Sequence, residues 1–422
     1  MRLFSGLCAL AALSHTAGAQ SAPTDSIHLT RAQAIADALA NNAQLDVARE
    51  QTAEARARRV TGNAIPDPQL TAAFDQLTGP ITFGGAPSKP VQVDLDVPFP
   101  DKFRLNNRIG TADVHNFEYN YRLQQELVAF ATSAAYDSLL VAQRHFAEQT
   151  EALQLSSDFL RRTQARFDAG SAPRLDVIKA QVDVAQSQND LVAANRAVAL
   201  AQASLNRQLG RVIGAPIAPT DSLALPPTLP DSTNIEQVAL TQRPELKQLE
   251  AQQAGAAATT SLTREYWLPD LTFSVQRDYA APGSPLFTTG LALPIPVFFW
   301  QHNQGDIAQA VHVQRELSAT YRDARAQVTQ DVRQAYATAS TAMQQVVFLR
   351  DQLVPSAREA YRVASTSYSL GGSSALDVLS ARRDLLDAES QLSEALGAAN
   401  TAYADLERAL GIPLPQIGAS RP

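Results

Sequence analysis

The sequence contains its own repeat, and that constrains the fold more than any other feature. Arg161 to Gly210, shifted by 201 positions, falls on Arg362 to Gly411 with sixteen of fifty residues identical and no gap. The matches include Gly170 with Gly371, Leu175-Asp176-Val177 with Leu376-Asp377-Val378, and Leu209-Gly210 with Leu410-Gly411. The same shift places Ala38-Leu39 on Ala239-Leu240, and a shift of 200 places Ala135-Tyr136 on Ala335-Tyr336. Matched alanines arise easily by chance; the Leu-Asp-Val and Leu-Gly pairs in one frame do not. A self-similar chain folds as repeated units. The 422 residues therefore divide into a first copy (20–210), a proline-rich join (211–233), a second copy (234–411) and a short tail (412–422), after a leader at 1–19.

Each copy runs through the same order. A helical segment comes first (30–62 and 234–265), then two short alternating segments (67–77 with 90–98, and 270–280 with 286–295). A long helical segment follows (102–168 and 303–369), then a glycine turn and a last helix (174–209 and 375–410). At ~1.5 Å per residue the segment 102–168 extends ~100 Å, far too long for a globule. Pro355 is expected to kink or interrupt its counterpart. In the last helices Val177, Val184, Leu191, Val198 and Leu205 recur every seven residues, with Ala180, Ser187, Ala194 and Ala201 three positions on. The second copy repeats this with Val378, Leu385, Leu392, Ala399 and Leu406 beside Ala381, Ala388, Ala395, Ala402 and Ala409. A sustained seven-residue period predicts extended coiled-coil packing, and the small residues allow close approach.

The alternating segments have period two, so each has one apolar and one polar face. Val91, Val93, Leu95 and Val97 alternate with Gln92, Asp94 and Asp96; Leu271, Phe273 and Val275 alternate with Thr272, Ser274 and Gln276. Leu70, Ala72 and Phe74 alternate with Thr71, Ala73 and Asp75, and Phe287 to Ile295 follows the same pattern. Each run approaches the ~9–11 residues of a tilted membrane-spanning strand. Four strands cannot close a transmembrane barrel, because an open edge would leave backbone groups unpaired in lipid. Single-chain barrels start at about 8 strands. If these strands span a membrane, several chains share one barrel.

The N-terminus has the layout of a secretory signal peptide. Met1-Arg2 precedes the apolar run Leu3–Leu13, and Ala17-Gly18-Ala19 makes a small-residue cleavage site before Gln20. The only cysteine, Cys8, lies in this leader, and Ser5-Gly6-Leu7 lacks the residues usual before a lipoprotein cysteine. The mature chain is therefore expected to carry no disulfide and no acyl chain. No later apolar run is long enough for a spanning helix. The net charge of −7 argues against a nucleic-acid partner. No phosphate loop, nucleophile elbow or His-Glu-x-x-His motif occurs, so neither an ATPase nor another enzyme is expected. His28, His115, His145, His302 and His312 show no ligand spacing such as His-x3-His, and neither a metal site nor a cofactor is expected.

Taken together, these features resemble the TolC-like outer-membrane efflux proteins over essentially the whole mature length. The resemblance rests on the twofold repeat, the helix–strand–strand–long helix–helix order, and the tip signatures. These read Arg166-Phe167-x2-Gly170-x4-Leu175-Asp176-Val177 and Tyr368-x2-Gly371-x4-Leu376-Asp377-Val378. Leu293-Pro294-Ile295-Pro296-Val297-Phe298, Asn303-Gln304-Gly305-Asp306-Ile307 and Leu353-Val354-Pro355-Ser356-Ala357 look like the metal-efflux branch. The resemblance implies a mixed, mainly α membrane protein. Long coiled-coil helices would form a periplasmic α-barrel, and four strands from each of three chains would form one twelve-stranded outer-membrane β-barrel. It implies a homotrimer embedded in outer-membrane lipid, a periplasmic adaptor (a membrane fusion protein) and an inner-membrane pump that supplies the energy. Gln92, Asp94, Asp96, Thr272, Ser274 and Gln276 would face the lumen. The turns at Gly170, Gly371 and Gly372 would meet the adaptor.

Asp176, Asp377 and Tyr368 match tip residues that close the periplasmic entrance in the family, Tyr368 by bonding the acid of the first hairpin; Arg174 is a candidate compensating charge. A basic gate residue of some members falls on Ser373 and a second acidic position on Ser380, so the full charged network is missing here. Both aspartates also sit where helix capping and first-turn dipole stabilisation are ordinary roles. The function implied is a passive exit duct for metal ions or small toxic compounds. The same architecture serves type I protein secretion. A periplasmic adaptor or structural coiled-coil protein is the alternative of another class, but an adaptor needs one hairpin with β-rich domains and this chain has two full repeats.

Overall fold

The computed structural model describes residues 26–72, 91–278, 286–295, 297–298 and 303–414. The leader with its cleavage junction, parts of the expected strand segments and most of the tail lie outside them. The first copy consists of strand β1 (Ile27–Leu29), helices α1 (Arg31–Asn41) and α2 (Ala43–Gly62), strands β2 (Gln69–Ala72) and β3 (Val91–Val97), and helices α3 (Pro100–Asp168) and α4 (Arg174–Gln208). Strand β4 (Ile217–Pro219) lies in the join. The second copy consists of α5 (Ile235–Gln242), α6 (Pro244–Arg264), β5 (Leu271–Asp278), β6 (Leu286–Ala292), α7 (Gln304–Phe348), α8 (Val354–Ser369) and α9 (Ala375–Leu410).

The first helical segment of each copy is two helices, not one. Asn42 adopts an extended backbone, its side-chain oxygen accepts from the Gln44 N–H, and its amide donates to Gln208 O at 2.9 Å. Arg243 is extended because Pro244 follows it, and a residue before proline is driven out of the helical region. Helix α3 is continuous over 69 residues, about 100 Å at the helical rise. Its counterpart is interrupted, as Pro355 predicts. A five-residue π turn, Leu349–Leu353, joins α7 to α8, and the proline sits in the first turn of α8. Proline has no N–H to give and clashes with the preceding turn. The widened turn absorbs that defect while the backbone stays helical on both sides.

The seven-residue rows are the packing seams. Ala180, Ser187, Ala194 and Ala201 of α4 and Ala381, Ala388, Ala395, Ala402 and Ala409 of α9 are buried. Helix α4 packs along α3, whereas α9 packs against α3, α7 and α8. At Gly397 of α9 a Cβ would lie 2.5 Å from Val141 Cγ2, so any larger residue would push the Val141 side chain of α3 aside. Helix α4 keeps a second apolar row exposed: Leu175, Ile178, Val182, Val192 and Leu200.

The strands form one antiparallel sheet in the order β2-β3-β5-β6, with β2 and β6 as its margins. The join is a strap and not a slack linker. Its strand β4 pairs in parallel with β1, and Leu223, Leu225 and Leu229 pack against three successive core clusters. The buried Tyr136 hydroxyl lies 2.9 Å from Leu29 O and 3.1 Å from Asp221 Oδ2. Arg31 of α1 gives its backbone N–H to Asp221 at 2.7 Å and its guanidinium to Asp137 of α3 and to Asn400 of α9. Asn400 in turn donates to Ala224 O at 2.8 Å. One polar node thus ties α1, α3, α9 and the strap. Burial pushes the Asp137 carboxyl up to about 6, although Arg31 pulls it down. The repeat-related Tyr336 makes the equivalent strap contact, 3.3 Å to Pro230 O.

Candidate functional site

The strand register brings all six polar strand residues to one face. Gln92 lies opposite Gln276, Asp94 opposite Ser274, and Asp96 opposite Thr272. Gln69 and Thr71 of β2 and Thr288 of β6 extend the same rows. The row is knit by side chains: Gln92 donates to Asp94 at 2.6 Å and Thr272 to Asp96 at 2.6 Å. The opposite face carries Leu70, Val93, Phe273, Val275, Phe287 and Leu291, all exposed in the single chain. A sheet with one polar face and one exposed apolar face is stable when the apolar face meets lipid. No helix among the described residues is long and apolar enough to cross a membrane.

At the other end lie the two hairpin tips. Helix α3 ends at Asp168 with Ala169 as its cap, Gly170 takes a left-handed φ of +74°, and the Ser171 N–H returns to Arg166 O at 2.8 Å. Helix α8 ends in the same way: Gly371 has φ +85° and the Gly372 N–H returns to Ser367 O at 2.8 Å. Both are the glycine-requiring helix stop in which the second residue past the cap bonds back across six residues. The tips therefore match because the same backbone termination is encoded twice.

The two aspartates are not equivalent. Asp377 closes a capping box: Ser374 Oγ accepts from the Asp377 N–H at 3.2 Å, and the carboxylate accepts from the Ser374 N–H at 2.9 Å. These bonds hold its carboxyl below the ordinary value. In the first copy Pro173 stands at the cap position with no side-chain bond, and Asp176 lies in the first turn of α4. Arg174 is exposed at the tip. Ser373, where some family members carry a base, donates to Ala364 O at 3.0 Å and ties the turn to α8.

Tyr368 is buried between the two hairpins. Its hydroxyl donates to Thr163 Oγ1 at 3.4 Å and not to Asp176 within the chain. Its ring packs on Phe159 at 5.4 Å, and the Arg166 guanidinium sits over the ring at 4.4 Å while donating to the Tyr368 carbonyl. About two turns further from the tip, Arg382 of α9 pairs with Asp183 of α4 and donates to Ala152 O of α3 at 3.3 Å. Burial raises the Asp183 carboxyl, against the pull of Arg382 and Arg383. Sequence reading missed this cross-hairpin pair. The one available signal was Asp183, identical to Asp384 in the repeat alignment; its partner is 199 residues away and set by hairpin docking.

The comparisons with known proteins agree with this architecture. The family model for outer membrane efflux proteins matches residues 34–211 and 236–412. The cobalt-zinc-cadmium resistance protein CzcC of Cupriavidus metallidurans is 26% identical over 290 residues, 66% of this chain and 66% of its own length, just under two thirds. The alkaline protease secretion protein AprF of Pseudomonas aeruginosa is 24% identical over 322 residues, 72% of this chain and 66% of its own length. Among solved structures, CusC superposes with a TM-score of 0.76 at 21% identity, covering 91% of this chain and 92% of its own. The chain belongs to the outer membrane efflux protein family. It is an outer-membrane protein with a TolC-like, mainly helical fold.

Proposed function

We propose that three copies of this chain close one twelve-stranded barrel and a helical tunnel beneath it, forming the exit duct of a tripartite efflux system. The observation that carries the reading is the sheet with two marginal strands, one polar face and one exposed apolar face. Such a sheet is completed by the next chain's β6 meeting β2, a head-to-tail contact that closes into a ring. The exposed row of α4 at one margin and Val347, Phe348 and Val363 of α7 and α8 at the other support the same closure. Gln92, Asp94, Asp96, Thr272, Ser274 and Gln276 then line the lumen. The tips close the periplasmic entrance through Asp176, Asp377, Tyr368 and Arg174, and a periplasmic adaptor coupled to an inner-membrane pump docks at the turns of Gly170, Gly371 and Gly372. Exposed Phe167, Leu175, Leu370 and Leu376 give that docking surface apolar contacts.

The cargo favoured by the likeness to CzcC is metal ions, with small toxic compounds as the broader class. The likeness to AprF supports a second reading, the outer channel of type I protein secretion. Mass measurement of the detergent-extracted protein is expected to give three chains, and Val182→Asp with Val192→Asp is expected to yield monomers. A stable wild-type monomer in water without detergent would refute the assembly. Deletion of the gene separates the cargoes: metal sensitivity supports efflux, whereas loss of a secreted protein at unchanged metal tolerance supports secretion.

A further inference from the structure

Among the described residues no group of three or more His, Cys, Asp or Glu side chains is arranged to hold a metal ion. A smaller arrangement joins α3 to α9. His145 lies eight residues, ~12 Å, toward the tips from Asp137 of the strap node. Its Nδ1 is 3.1 Å from Glu148 Oε2, one helical turn along. The Glu148 side chain is only 8% exposed and is fixed from both helices. Its other oxygen accepts from Ser393 Oγ of α9 at 2.6 Å and from Arg144 Nε at 2.9 Å. A carboxylate held in this way keeps the ring proton on Nδ1 and leaves the Nε2 lone pair available.

That lone pair lies 3.9 Å from Glu394 Oε1 of α9. The distance exceeds a hydrogen bond, which ends near ~3.2 Å. Two ligands of one tetrahedral Zn²⁺ lie about 3.4 Å apart, so Glu394 would close by roughly half an ångström to share an ion with the ring. The Glu394 side chain is 67% exposed, so it can adjust and an ion can reach it. Histidines that bind metal give their other ring N–H to a carboxylate, and that carboxylate sets both tautomer and orientation. Glu148 occupies this position.

We propose that His145 Nε2 and Glu394 form a weak station for a borderline divalent cation, such as Zn²⁺ or Co²⁺, with Glu148 as the positioning carboxylate and water completing the coordination. Two protein ligands give a site that fills and empties readily. The charged groups bearing on the ring are Arg144 and Glu148 from α3 and Glu394 from α9. The two carboxylates favour the imidazolium, so proton and metal compete and binding weakens as pH falls. The station goes beyond the conduit reading and does not depend on what is exported, because it is measured on the isolated protein.

The test is equilibrium dialysis of the tag-free, detergent-purified full assembly against ZnCl₂ at pH 7.5. Wild type is expected to bind one Zn²⁺ per chain that His145→Ala lacks. Glu148→Gln is expected to weaken that binding roughly 10–100-fold. Glu394→Gln changes an exposed side chain and serves where the histidine variant folds poorly; it is expected to weaken binding as well. Copper loading gives an independent readout, a nitrogen coupling in the electron paramagnetic resonance spectrum that His145→Ala loses. Superimposable zinc isotherms for wild type, His145→Ala and Glu394→Gln, or no uptake by wild type, would overturn the proposal and leave a plain ion pair. Failure of the trimer or of the cargo reading would not change these isotherms in the same selective way.

Discussion

Arg382→Met isolates the contribution of the pair that bridges the two hairpins. The Arg382 side chain is 7% exposed and that of Asp183 is 16%, so the pair is largely desolvated. Methionine keeps the apolar stem and removes the charge. Asp183 is then left buried, with Arg383 as the remaining cation bearing on it. Breaking a buried pair from one side costs ~3–5 kcal/mol. Arg383 and the residual exposure of Asp183 place this case at the low end, ~3 kcal/mol, which is about a 150-fold rise in local opening. Hydrogen exchange of the detergent-solubilised protein reads that opening directly in peptides covering 152–185 and 366–390. The double variant Asp183→Leu with Arg382→Met removes both charges and is expected to return within ~1 kcal/mol of wild type.

The pH response of the single variant has a definite sign. Without Arg382, burial alone raises the Asp183 carboxyl further above its ordinary 3.8. Between that value and the raised one the folded state holds a proton that the unfolded state has released. The variant therefore loses stability as pH rises through that window and regains it on acidification. Protection unchanged in Arg382→Met, or a double variant as open as the single one, would refute the assignment of this pair as the bond between hairpins.

Three further outcomes are expected. Tyr136→Phe removes the hydroxyl's bonds to Leu29 O of β1 and to Asp221 of the strap and is expected to cost ~1–3 kcal/mol, seen as faster proteolysis within the strap, residues 217–230. Gly170→Ala and Gly371→Ala meet no atom within 4 Å, so the cost is the left-handed backbone alone, roughly 1–2 kcal/mol each by denaturant unfolding. Asp137, at about 6 against an ordinary 3.8, contributes stability that is full below 3.8 and lost as pH rises to about 6; Asp137→Asn is expected to flatten the melting temperature across that interval.

How much of this was legible in the sequence depended on the range of the interaction concerned. The repeat, the seven-residue seams and the strand faces were readable because their periods follow from helix and strand geometry. The six polar strand residues emerge as facing pairs for that reason. The break at Asn42 was not readable, because an asparagine that caps looks the same as one on a solvated helix face. Strand β1 escaped because it has three residues and its partner lies in the join, Ile27 against Ile217. Within the chain the Tyr368 hydroxyl meets Thr163, a partner that no local pattern announces because hairpin docking decides it. The i,i+3 pair of His145 and Glu148 was present in the sequence but fell outside the His-x3-His spacing sought.

The two copies diverge according to where each last helix ends up. Helix α9 lies inside the layer and touches α3, α7 and α8, whereas α4 lies at the margin on α3. Equivalent positions answer to that difference. Exposed Arg196 of α4 corresponds to Gly397, where a Cβ would strike Val141. Exposed Val192 corresponds to Ser393, which is buried and bonds Glu148. Exposed Val182 and Leu200 correspond to Arg383 and Thr401. At Ser393 the interior helix thus buries a polar group where the marginal helix exposes an apolar one, the inverse of what a solitary soluble chain would need. Inside the layer Ser393 finds its partner within the chain, the Glu148 carboxylate of α3. At the margin the apolar row has no such partner, and each exposed valine or leucine forgoes ~1.5–3 kcal/mol of burial until one arrives. In the proposed ring, a neighbouring copy presenting its own opposite margin would remove that deficit for helices and strands together, and the two copies need not be symmetric to do so.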